Sequence, residues 1–129
     1  MAAPADHLSI LIPPSPVHVA SARAFVGAVG RHFGCSDEAV EDLRLAATEA
    51  CSQALRESPG DPIELRAWLD DDSLRLEIEP SGRFDRASDE DGDLSVDERL
   101  ALIRSLFPDA SFSERDGRPV LILSVQVRS

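Results

Sequence analysis

DEAVEDLRLAATEACSQALRE, from Asp37 to Glu57, is the stretch that decides the fold. Leu43, Ala47, Ala50 and Ala54 recur along one side at helical spacing, and Leu45, Ala46 and Leu55 widen the apolar stripe. Ser36 is placed to cap the start. Asp37 and Glu38 put negative charge in the first turn, where unpaired backbone N–H groups favour it. Ser58, Pro59 and Gly60 end the segment. The stripe is mostly alanine, so a neighbouring element can approach closely. Glu49 and Gln53 stand one turn apart on the same helix and share a face.

Upstream, Val19, Ala22, Val26, Val29 and Phe33 predict a helix running to about His32, opened by Ser15 with Pro16 at its first position. Gly27 and Gly30 permit close approach, and Gly34 marks the end. Phe25, Val26, Val29 and Phe33 cannot all be assigned to the core from periodicity, leaving an apolar edge for a partner. Before this helix, His7 to Ile12 reads as an edge strand stopped by Pro13 and Pro14.

Downstream the period changes to two. Ile63, Leu65, Ala67 and Leu69 alternate with Glu64, Arg66 and Trp68; after the Asp70–Ser73 turn, Leu74, Leu76 and Ile78 alternate with Arg75, Glu77 and Glu79. This predicts a hairpin with one buried face and one polar face turned to water. Residues 85–98 carry seven acids against one arginine and read as a solvated, lid-like loop. Asp89, Asp91 and Asp93 do not make a calcium loop: Leu94 takes the turn-glycine position and Leu100 that of the bidentate glutamate. Ser95 and Glu98 have capping-box spacing before a third helix with Leu100, Ile103, Leu106 and Phe107 inward. A second hairpin spans Ala110 to Val127 around Asp116-Gly117, with Pro119 at the start of an interior strand. The fold class is α/β: a two-layer sandwich, mostly antiparallel sheet with helices on one face.

A chain of 129 residues with 43% hydrophobic and 29% charged residues fits one domain, 1–129. At 5% aromatic, the core must rest on Leu, Val, Ile and Ala. The formal charge of −11 disfavours nucleic acid and anionic lipid, and suits a basic protein segment. Cys35 and Cys51 make no metal pattern with the three histidines. Counting leaves a disulfide open, while the helical position favours Cys51 as a small buried hydrophobe in a reducing compartment. With neither a secretion signal nor a membrane span, a cytoplasmic protein is the expectation.

The segment SPVHVASARAFVGAVGRHFGCSDEAVEDLRLAATEACSQAL, with the hairpin after it, resembles the anti-sigma-factor serine kinases of the histidine-kinase-like ATPase fold. LALIRSLFPDASFSERDG resembles the helix and strand after that family's ATP lid. The likeness covers nearly the whole chain, and DLRLAATEAC is its most specific phrase. It implies an α/β sandwich holding ATP and magnesium, a homodimer, and two protein partners: a sigma factor, and an anti-anti-sigma factor phosphorylated on serine.

The family's site residues fall on altered positions. Its general-base glutamate matches Glu49, but its magnesium-ligating asparagine falls on Gln53, whose extra methylene displaces the oxygen. The aspartate that anchors adenine, in an Asp-x-Gly-x-Gly motif, aligns in EPSGRFD with Pro80. Gly82 is kept, and the other glycine is missing or replaced by Arg83. Proline accepts no side-chain hydrogen bond, and an unpaired polar edge costs roughly 1–3 kcal/mol. The phosphate-gripping Gly-x-Gly aligns in DERLAL with Asp97 and Arg99. Metal ligand, adenine anchor and phosphate grip are three separate mechanisms, and all three are altered. The expectation is a degenerate, pseudokinase-like member with no cofactor, no metal and no catalytic residue. It would regulate transcription by binding a sigma factor or its regulators. Two alternatives stand: an active ATP-dependent serine kinase using Glu49, and an adaptor in another signalling complex.

Overall fold

A computed structural model describes residues 3–80, 101, 103–115 and 118–127. Strand β1 (Leu8–Ile12) leads through a 3-10 turn (Pro16–His18) into α1 (Val19–His32) and α2 (Asp37–Glu57). Then come β2 (Ile63–Asp70), β3 (Ser73–Pro80), β4 (Ser111–Arg115) and β5 (Arg118–Gln126), with Ala101, Ile103 and Arg104 helical before β4. The strands form one antiparallel sheet in the order β1-β2-β3-β5-β4. As the interior pattern predicts, β5 lies between β3 and β4.

Alternation sets the two faces. Ile63, Leu65, Ala67, Leu74, Leu76, Ile78, Leu121 and Leu123 join Ala22, Val26, Val29, Leu43, Ala46, Ala47, Ala50, Cys51 and Ala54 in one core. This is the α/β sandwich read from the sequence. The alanine stripe lets α2 lie close to the sheet, and Gly30 does the same between helices: a β-carbon there would stand 3.1 Å from Val40 Cγ2. The Ser36 cap forms, its hydroxyl accepting from the Ala39 N–H at 3.1 Å. The first helix ends in a Schellman motif. The Cys35 N–H reaches Gly30 O (2.9 Å), that of Gly34 reaches Arg31 O (3.2 Å), and Gly34 takes φ +86°.

Several expectations are corrected. Ser15 makes no side-chain cap; the His18 N–H donates to Ser15 O at 2.9 Å, so a 3-10 turn precedes the α-helix. Leu45 is 58% exposed, since it sits about 200° round the helix from Leu43. Leu69 is also exposed, because β1 begins at Leu8 opposite Ala67 and gives it no partner. On α1, Val26 and Val29 are buried while Phe25 and Phe33 pack against the core, so these four supply no separate apolar edge. Most consequentially, the polar hairpin face is only partly open to water: Glu64 and Arg75 reach solvent, but Glu77 is fully buried, and Glu79 and Trp68 nearly so.

The lid-like loop 85–98, Gly82, Arg83, Asp97, Arg99, the Ser95–Glu98 cap, Leu100 and the Asp116-Gly117 turn lie outside the described residues. Among the described residues, no helix is long and apolar enough to cross a membrane. Cys35 and Cys51 are free thiols.

Candidate functional site

The outer flank of α2 brings Glu49 and Gln53 to one face. Glu49 is half-buried, with no hydrogen-bond or ion-pair partner among the described residues. Gln53, 7% exposed, is held by its own helix. Its amide nitrogen donates to Glu57 Oε2, and its carbonyl oxygen accepts from Arg56 Nη2 at 3.3 Å. Both partners follow from helical geometry, lying four and three residues on. The Gln53 side-chain oxygen therefore faces a guanidinium. Pro80 ends β3, buried, opposite Ile63 and in line with Ile78 on the helix-facing side. It offers an apolar ring and no side-chain hydrogen-bond acceptor.

A second polar centre went unread in the sequence. On the sheet face away from the helices, Arg66 is the hub of three carboxylates. Its Nη1 meets Glu64 at 2.9 Å, its Nη2 meets Glu79 at 2.5 Å, and its Nε donates to Glu77 at 3.2 Å. Burial works against the Arg66 charge; the hydrogen bond and field of Glu79, with Glu64 and Glu77, outweigh it and hold the guanidinium protonated above its ordinary range. The register already contained the signal, since Arg66 stands directly opposite Glu77. Among the described residues no group of three or more His, Cys, Asp or Glu is placed to hold a metal ion.

A five-stranded antiparallel sheet with paired helices packed on one side defines an α/β sandwich of the histidine-kinase-like ATPase kind. The chain belongs to the histidine kinase-like ATPase domain family, which matches residues 12–125. It is similar to the serine-protein kinase RsbW of Bacillus subtilis (strain 168), at 26% identity over 82 residues. That match covers 60% of this chain and 51% of the relative, so the chain spans about half its length. Among solved structures it resembles the RsbU and RsbW domains of Rv1364c from Mycobacterium tuberculosis, with TM-score 0.73 and 18% identity. There the likeness covers 98% of this chain and 34% of the other, and it establishes the fold alone.

Proposed function

We propose that this chain is a non-catalytic regulator resembling an anti-sigma factor, which acts by binding a sigma factor or one of that factor's protein regulators. The family and the likeness to a kinase named RsbW support the regulatory setting. The observation that carries the non-catalytic part is the engagement of Gln53. A magnesium ion bound at its oxygen would sit beside the Arg56 guanidinium, two cations sharing one carbonyl. Magnesium demands near-ideal octahedral geometry, and this oxygen is neither free nor in a neutral setting. Pro80 adds a second misfit, because no side-chain acceptor stands where an adenine amino group would be read. The residues present do not fit magnesium-ATP, and no phosphoryl-transfer step is assigned to them. The net charge of −11 suits encounter with a basic partner segment, while apolar contacts at the interface centre supply most of the affinity.

Isothermal titration calorimetry with ATP and magnesium tests this reading. No saturable heat is expected at millimolar nucleotide; micromolar binding would overturn it. In that case the kinase reading takes over, with Glu49 as its base and phosphate transfer abolished by Glu49→Ala. If nucleotide does not bind, capture of partners from native extract separates a sigma-factor regulator from an adaptor elsewhere.

A further inference from the structure

The chain's cations are all arginines, thirteen against twenty-four acidic residues, and it contains no lysine. With nearly two acids per base, most arginines in the described fold are engaged. Arg66 holds three carboxylates, Arg56 bonds Gln53, and Arg104 Nε donates to Ala110 O at 2.9 Å. Arg23, Arg31 and Arg44 have no such partner among the described residues, and of these Arg31 and Arg44 lie together. They come from different helices and converge over Gly27. A β-carbon placed there would have Arg44 Cδ at 3.5 Å, Arg31 Nη1 at 3.6 Å and Arg44 Nη1 at 3.7 Å. Neither guanidinium has a hydrogen-bond or ion-pair partner among the described residues. Glu41, exposed one turn before Arg44, does not neutralise it. Two permanent positive charges are thus brought together at the α1–α2 seam of a strongly acidic protein and left uncompensated.

We infer that this seam docks an acidic segment of a protein partner, with carboxylates on Arg31 and Arg44. The surroundings favour a protein segment over a bare anion or a nucleic acid. Ala20, Ala24 and Ala28 leave a low, exposed surface on α1, and Leu45 is exposed next to Arg44 on α2. An amphipathic segment can therefore lay apolar side chains beside its carboxylates. A polyanion would be strongly repelled at long range by the net charge of −11, whereas a short segment with few carboxylates is repelled far less and meets the two guanidinium groups at close range. The inference shares with the preceding section only the premise that the chain works by binding protein. It places an acid-reading surface away from the Glu49–Gln53 flank.

The test is an NMR titration of the intact chain, following the Gly27 amide and the arginine Nε–H signals, with a short amphipathic peptide carrying glutamates one turn apart. Saturable shifts at Gly27, Arg31 and Arg44 are expected, with affinity at least about tenfold weaker in 0.5 M salt. Arg31→Gln/Arg44→Gln should abolish them while leaving the melting temperature within a few degrees of the parent, since both side chains reach solvent. Arg75→Gln should leave them in place. Absent shifts, or shifts that survive the double substitution, overturn the inference. So does inorganic phosphate acting at equal concentration, which marks a simple anion site, or a phosphoserine peptide binding tenfold tighter, which moves the assignment to phosphorylated partners. Self-association lost in the double variant would make the occupant a second copy, and also overturns it. None of these readouts depends on nucleotide, so failure here and failure in the calorimetry remain distinguishable.

Discussion

The two faces of one sheet solve the problem of burial in opposite ways. Toward the helices, β2 and β3 present Ile63, Leu65, Ala67, Leu74, Leu76 and Ile78 to an alanine-lined helix. On the other side the same strands bury Glu77 completely and Glu79 almost so, against Arg66. The first face gains from every Å² withdrawn from water. The second stands only while its charges compensate one another, because a buried ion without a partner costs several kcal/mol. The largest effect should therefore come from the charged face. Arg66→Ala is expected to cost about 3–5 kcal/mol, read as a fall in the urea midpoint. Replacing Arg66, Glu77 and Glu79 together by Met, Leu and Met should recover most of that loss. A single substitution within about 0.5 kcal/mol of the parent would show that the cluster is solvated after all.

The apolar face is probed next. Ala50 is 7% exposed on the α2 stripe, where small size sets how near the helix lies to the sheet. Ala50→Leu should overpack that contact and cost about 1–3 kcal/mol. An unchanged denaturation midpoint would reject its buried placement and place the tolerance for volume on the wrong face.

The contrast also explains what could be read in advance. Periodicity locates α1, α2 and the β2–β3 hairpin because burial on one side imposes a repeat, and the repeat survives in sequence. The Gly30 contact and the Ser36 cap were legible too, each being a local consequence of its residue type. The Arg66 cluster was not, because alternating charge reads equally as a wet face; only the pairing register joins Arg66 to Glu77 and, across strands, to Glu79. In the candidate site the resemblance brought out Glu49, Gln53 and Pro80. It did not bring out the engagement of Gln53 by Arg56 and Glu57, although their spacing of three and four along one helix was in view. A motif directs attention to what a residue does in relatives, and its neighbours in this chain decide what it does here.

The smallest effect isolates the interior of the apolar face through the buried thiol of Cys51. Cys51 is fully buried, and desolvation pushes its thiol from 9.0 up to about 12. The folded state therefore keeps the proton that the unfolded chain gives up near pH 9. Stability is fully present below that point and declines as pH rises toward about 12, by at most about 1.4 kcal/mol per unit. The chain lacks lysine and tyrosine, so few other groups titrate in this window, and Cys35, also raised by burial, is half-exposed. Between pH 8 and pH 10 the unfolding free energy should drop by about 1 kcal/mol, and Cys51→Ala should flatten that slope. A slope unchanged by the substitution would mean that water reaches the thiol, and that the alanine-lined interface between α2 and the sheet is looser than its packing implies.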